Sequence, residues 1–544
     1  MIRITEIKLP VEIAQSPSHE SDTIKAALLK RLQIVEADLL SLSIFKRGVD
    51  ARKSHNILYV YTLDVEVKNE EKILAKFSRD PHVKPTPDTS YKFVTTAPTQ
   101  LKSRPVIVGF GPAGIFSALI LAQSGFKPII LERGKAVRER TKDTWDFWRK
   151  SKLNPESNVQ FGEGGAGTFS DGKLYSQIKD PKHYGRKVIQ EFVKAGAPPE
   201  IMYVSHPHIG TFRLVGMVEE MRKNIITLGG AIRFEARVDD IEITNNEVQG
   251  VVLASGERIA TNHLVLAVGH SARDTFEMIH RKNIYIEAKP FSIGFRIEHP
   301  QSLIDKARYG NSYSADILSK LGSAEYKLVH HTSNGRSVYS FCMCPGGTVV
   351  ASASEKGCVV TNGMSQYSRN ERNANAGIVV GITPVADYPA HPLAGIALQR
   401  SLEANAYTLG GNNYAAPGQL IGDFLANKAS TKFGEVQPSY TPGVHLTNLE
   451  TALPKFAIDA IREAIPEFAK QIKGYDLADG ILTGVETRTS SPIRIKRDDE
   501  TLQSINTKGL YPCGEGAGYA GGILSAGVDG IRIAEAVALS LSRN

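Results

Sequence analysis

Cysteine is scarce: only four of the 544 residues, Cys342, Cys344, Cys358 and Cys513. Four dispersed thiols exclude a disulfide-stapled scaffold and suit a reducing, cytoplasmic setting. Runs of one charge are also missing. The 65 basic and 57 acidic side chains leave +8, spread along the chain, so a solvated surface is expected and a nucleic-acid partner is not. The N-terminus, MIRITEIKLPVEIAQ, alternates polar and apolar residues and lacks the long apolar core of a secretion signal. Pro105–Phe126 carries no charge and is long enough to cross a bilayer. Gly109, Gly111, Pro112 and Gly114 inside it fit a phosphate-binding turn better, and no membrane partner is expected. His206 and His208 have no further Cys or His beside them, so no metal is expected.

Glycine is plentiful, at 48 residues or about 9% against a usual value of about 7%. It clusters in three places. The first is Gly109-Phe110-Gly111-Pro112-Ala113-Gly114, after the apolar strand PVIVGF and before the helix GIFSALILAQ. In such a unit the first glycine makes the turn, the second lets the backbone approach a pyrophosphate, and the third packs helix on strand. Glu132, followed by Arg133, ends the next apolar strand, KPIILERG. A carboxylate there accepts ribose hydroxyls and repels a 2′-phosphate, which points to FAD or NAD and not NADP. The second cluster runs from Gly162 to Gly172 through Gly164, Gly165 and Gly167, either a loop passing a cofactor or a plain surface loop. The third is a strand leading into Cys513-Gly514-Glu515-Gly516, then Gly521 and Gly522 before a helix that opens near Ile523. The helix N-terminus carries partial positive charge suited to an anionic ring edge.

The remaining chain divides by pattern. Residues 1–78 read β-α-β-β-α, a ferredoxin-like module. Its basic loop (Lys46, Arg47, Arg52, Lys53) is expected to be an exposed hairpin tip; RNA or partner binding is the alternative. Residues 79–103, with four prolines, form a linker or surface strap. GAIRFEARVDDIEI, EVQGVVLASGERI and HLVLAVGH read as a meander and a strand ending at Ala267, Val268 and Gly269. Cys342 and Cys344 are either a strained, reducible pair or two packing residues. Lys173 and Arg488 are candidates to hold an anionic group of a substrate.

Three separated motifs in this order resemble the glutathione-reductase-type FAD/NAD(P)-binding flavoprotein superfamily, with Glu515 where that superfamily usually has Asp. The wider set FGEGGAGTFSDGKL, LAVGHSARD, KPFSIGFRIEHP, SFCMCPGG, ETRTSSPIRI and CGEGAGYAGGILSAGVDG resembles a bacterial family of uncharacterised FAD-dependent dehydrogenases over nearly the whole chain. The resemblance implies an α/β protein with a three-layer FAD-binding Rossmann-type domain (104–285 and 475–544), an inserted α+β substrate or cap domain (286–474) and the ferredoxin-like module. It implies FAD, oxidoreductase chemistry and hydride exchange between a small organic substrate and flavin N5. The sequence has no second strand–GxGxxG–helix unit, so any NAD(P)H would bind transiently. An FAD monooxygenase, or a flavoprotein acting on RNA, is the alternative.

Overall fold

In the computed structural model, residues 1–543 are described. The first unit is β1 (Ile2–Pro10), α1 (Pro17–Leu32), β2 (Leu39–Asp50), β3 (Leu58–Val67), α2 (Glu70–Lys76) and β4 (Val83–Pro85). The strands form an antiparallel sheet in the order β2-β3-β1-β4. Ile2, Ile4, Leu63 and Val65 alternate into its core with Ile24, Leu28 and Leu32 of α1. Strand β4 lies within the stretch read as linker. The chain beyond it straps the molecule: Ala97 N–H donates to the Ser124 carbonyl at 2.7 Å and the Tyr91 hydroxyl to Glu535 at 3.1 Å. Arg47 is no free hairpin tip, because its backbone bridges Tyr203 and Ser205 and its side chain pairs with Glu20 at 3.2 Å.

The chain then alternates strand and helix: β5 (Val106–Val108), α3 (Pro112–Gln123), β6 (Ile129–Leu131), α4 (Val137–Lys150), β7 (Ala231–Arg233), β8 (Leu264–Leu266) and α5 (Arg273–Arg281). β5, β6, β7 and β8 pair in parallel. AIRFEARVDDIEI is therefore not one strand. Its first three residues join this sheet as β7, and Val238–Thr244 starts a separate three-stranded meander. Helix α3 is buried all round, which accounts for the uncharged stretch. At 12 residues it is about 18 Å long, too short for a bilayer of about 30 Å. Among the described residues no helix is long and apolar enough to cross a membrane.

A second, eight-stranded sheet follows, centred on β9 (Phe291–Pro300), β10 (Ser337–Ala351), β11 (Asn373–Ile382) and β12 (Ile481–Glu486), with α6 (Ala394–Leu409) beside it. Its central order is β10-β11-β9-β12, all antiparallel. β12 falls in the range expected to have returned to the first domain. The return comes later, at β13 (Leu510–Pro512) and α7 (Ile523–Arg543), which complete the parallel sheet in the order β13-β8-β5-β6-β7.

The pleat of that sheet separates two cores. Ile107, Ile130, Val265 and Tyr511 face α3 and α7, whereas Val106, Leu131, Leu264 and Leu266 face the meander. This is the period-2 alternation of a sheet covered on both faces. The architecture is mixed α/β with a parallel sheet. All the strand ends that matter for the site open on one edge of it.

Candidate functional site

The C-terminal ends of β5, β6, β8 and β13 surround a cavity of about 360 Å³, the usual position for a ligand in a parallel α/β sheet. The β5–α3 turn forms its floor. Gly109 has φ +97°, and a Cβ there would stand 2.3 Å from the Ala267 carbonyl, so only glycine makes this turn. A Cβ at Gly114 would stand 2.0 Å from the Gly109 carbonyl, which places that residue in helix–strand packing behind the wall.

Glu132 is 4% exposed and ends β6 at the cavity. Its carboxylate accepts the backbone N–H groups of Phe110 (2.8 Å), Gly134 (2.8 Å) and Gly162 (3.0 Å). An ionised carboxylate has about four acceptor positions, so one remains for a hydroxyl in the cavity. The acid thus ties three segments together and keeps the capacity a ribose needs. With the glycine turn at the N-terminus of α3, where anions are favoured, the residues fit a dinucleotide.

The Gly162–Gly172 loop is held from below by Arg140 of α4. Its fully buried guanidinium donates to the carbonyls of Asn158 and Val159, both at 2.7 Å, and of Glu163 at 2.7 Å. A Cβ at Gly165, φ +64°, would come within 2.9 Å of the Gly111 Cα. Glycine therefore lets two backbones meet at the cavity, and the loop is fixed rather than flexible.

Most residues singled out from sequence converge here. Gly109, Gly111, Pro112, Ala113, Glu132, Arg133, Gly165, Gly167, Ala267, Gly269, Glu515, Gly521, Gly522 and Ile523 line the cavity, as do Lys173, Cys342 and Arg488. Gly114, Gly164, Gly514 and Cys344 are not on the wall. Gly514 instead donates its N–H to Asp529 at 2.8 Å. Each of the three cationic candidates already has a hydrogen-bond partner in the protein. Arg133 forks onto Asp274 (2.9 Å twice) and reaches Glu156 (3.0 Å). Lys173 Nζ donates to the Met343 carbonyl. Arg488 forks onto Glu403 at 2.9 and 3.1 Å.

Sequence reasoning missed Gln160, Tyr175, His270, Ser271, Phe341 and Asn362 on the same wall; only LAVGHSARD carried a signal, in the two polar residues directly after the strand end. His270 is pushed down to about 3 by burial and by Arg488 and Arg273, so it stays neutral at physiological pH. Of the two histidines considered for a metal, His208 Nε2 lies 2.9 Å from the Tyr367 carbonyl and His206 stacks on Tyr175. One other group brings ligand atoms within 4.8 Å of one another, Glu355, Cys358 and Glu403. Arg273 and Arg488 already neutralise Glu403, and Arg273 and Arg400 neutralise Glu355, so this is an ion-pair cluster.

Glu515 is a second acid on the wall. Burial raises its carboxyl from 4.5 to about 7, against the pull of Lys289. The folded protein therefore resists its ionisation, and stability falls as pH climbs from the unfolded value through about 7. Partial contact with water limits the penalty to about 2 kcal/mol. Glu515→Gln is expected to match the parent near pH 4.5 and to exceed it by about this amount at pH 8. Urea denaturation of the two flavin-free proteins at both pH values measures it, and equal stabilities at pH 8 would contradict the raised pKa.

Residues 290–489 match a family model described as FAD-dependent protein, C-terminal domain-like, and residues 1–66 match a domain of unknown function. An uncharacterised protein of Clostridium beijerinckii is 46% identical over 535 residues, 98% of each chain. Solved structures resemble the chain at low identity. The flavin-dependent brominase Bmp2 is 12% identical with a TM-score of 0.36 over 81% of this chain and 80% of that one. The glycine oxidase of Bacillus cereus is 13% identical with a TM-score of 0.30 over 80% and 97%. The cofactor is FAD. The chain belongs to the family of that Clostridium beijerinckii protein, as an FAD-dependent flavoprotein.

Proposed function

We propose that the protein is an FAD-dependent oxidoreductase, a dehydrogenase or reductase that exchanges a hydride between a small organic substrate and the flavin. The observation that carries this reading is the Glu132 carboxylate, with spare acceptor capacity, on the same cavity as the Gly109–Ala113 turn. In it, Gly109, Gly111, Pro112 and Ala113 take the pyrophosphate at the N-terminus of α3, and Glu132 takes the ribose. Gly165, Gly167, Ala267, Gly269 and the Gly521–Ile523 start of α7 take the rest of the cofactor. Bound there, FAD supplies two-electron redox chemistry that no side chain offers. Phe341, Cys342 and Asn362, contributed by the second sheet, close the cavity and exclude water from it. Glu515, titrating near neutrality, holds or gives up a proton at its carboxyl oxygen.

The second sheet with its helices is then the inserted substrate domain. The order β1-α1-β2-β3-α2-β4 with sheet order β2-β3-β1-β4 supports a ferredoxin-like module at the N-terminus. A transient NAD(P)H remains the candidate reductant. The purified protein should be yellow, and its flavin band should bleach when NADH, NADPH or a substrate is added without oxygen. A flavin that no such donor bleaches would overturn the oxidoreductase reading and leave a binding protein.

A further inference from the structure

Cys342 lies on the cavity wall, half-buried, and Cys344, two residues on, is fully buried and off the wall. In a regular strand, residues two apart have Cα atoms about 6.6 Å apart, near the upper limit for a disulfide. Strand β10 is not regular here. Its register against β11 shifts between Phe341 and Cys344, and Cys342 takes φ +42°, a conformation rare outside glycine. The Cys344 thiol donates to the Cys342 carbonyl, its sulfur 3.4 Å from that oxygen. Two cations converge on the same point: Lys173 Nζ donates to the carbonyl of the intervening Met343, and Arg296 Nη1 to the Cys342 carbonyl at 2.9 Å.

We propose that Cys342 and Cys344 are a reversible dithiol–disulfide couple opening on the cavity, and that its reaction partner is a small-molecule disulfide. The Cys342 thiolate attacks one sulfur of the partner. The partner's S–S bond breaks, a mixed disulfide forms on Cys342, and the first thiolate leaves. The Cys344 thiol then gives its proton to that departing thiolate and attacks the Cys342 sulfur, releasing the second. The couple loses two electrons, and the partner becomes one thiol and one thiolate, which takes its proton from water. The proposal does not depend on hydride transfer, since it needs no flavin turnover.

The electrostatics agree. The neighbouring Cys344 thiol pushes Cys342 well below the usual thiol range against the effect of burial, with Arg296 and Lys173 assisting. Asp171, Glu486, Glu515 and Tyr175 face it with the opposite influence. Cys344 is pushed up by its bond to Cys342 and by burial, so it holds its proton until the second step.

The test uses the flavin-containing protein with 2-hydroxyethyl disulfide, quenched with acid and read by peptide mass spectrometry. The expected product is a Cys342–Cys344 disulfide with two equivalents of mercaptoethanol released, and Cys344→Ser should stop at the mixed disulfide on Cys342. Iodoacetamide labelling of the unaltered protein, which needs no variant, should modify Cys342 at least about tenfold faster than Cys358 or Cys513 at pH 6. Lys173→Met should raise the pH midpoint of that labelling by about one unit. A Cys342 that labels no faster than the other cysteines, or an oxidation product that leaves Cys344 free, would overturn the couple. Either failure would leave the flavin's reduction by donors unaffected and so would not touch the oxidoreductase reading.

Discussion

Glu132→Ala is expected to yield protein that purifies without its yellow colour and binds added FAD at least about 100-fold more weakly than the parent. Two separate losses produce this. The first is the missing acceptor for the cofactor, since a hydrogen bond to a charged group contributes about 1.5–3 kcal/mol. The second is internal: Phe110, Gly134 and Gly162 lose the acceptor of their N–H groups, each orphan costing about 1–3 kcal/mol. Because Phe110 lies inside the phosphate turn and Gly162 opens the second glycine loop, both cavity walls loosen at once. Glu132→Gln separates the two losses. Its amide oxygen can still accept from Gly134 and Gly162, while its NH2 group meets the Phe110 N–H, donor against donor. Its affinity should therefore fall between parent and alanine. Fluorescence titration of the stripped proteins with FAD measures all three. An alanine variant that retains stoichiometric flavin would remove Glu132 from the site.

The part of this site that was legible in the sequence is the part built locally. A strand, three glycines, a helix and an acid at the next strand end lie within one short stretch, and each residue type has a backbone reason to be there. What remained hidden depends on partners far along the chain. Arg140 draws no notice in the sequence, yet it holds the start of the Gly162–Gly172 loop by the Gly162 and Glu163 carbonyls. The strand β9, FSIGFRIEHP, is buried on both faces, so it shows no alternation, and its Arg296 is neutralised by Glu486 on β12. β12 reads from sequence as part of the first domain because a short apolar strand looks alike in either sheet, and its pairing places it in the second. The GAIRFEARVDDIEI segment reads as one strand for the same reason. Only sheet pairing reveals that Ala231–Arg233 and the stretch from Val238 onward belong to different sheets. Glu515 is legible in its motif, but its raised pKa arises from burial, which no motif records.

The ion-pair cluster behind the cavity supplies the other large effect. Glu403 of α6 is fully buried and accepts from Arg273 at 2.7 and 3.0 Å, from Arg488 at 2.9 and 3.1 Å, and from the Thr487 hydroxyl at 2.8 Å. Arg273 opens α5, next to Ser271 on the wall, and Arg488 follows β12 and also donates to Ser271 at 3.1 Å. One carboxylate therefore fixes the second sheet against the end of β8. Glu403→Leu strands two buried guanidinium groups and is expected to cost about 3–5 kcal/mol. Adding Arg273→Met and Arg488→Met should restore much of that stability, since apolar replacement of a whole buried cluster is often neutral, while flavin retention should stay low because Ser271 has lost its anchor. The pH dependence supplies an independent reading. Burial pushes the Glu403 carboxyl up, but Arg488 and Arg273 together hold it down at about 2. A depressed carboxylate stabilises above the unfolded value, and the stabilisation is lost as pH falls from about 4.5 toward 2. The parent should therefore weaken by about 3 kcal/mol over that acid interval through this group alone, and Glu403→Gln should lack that share of the slope. Urea midpoints at pH 7, 4 and 3 measure both effects. A Glu403→Leu variant as stable as the parent at pH 7 would show that the two arginines find water or other acceptors, and the cluster would then not be what joins the sheets.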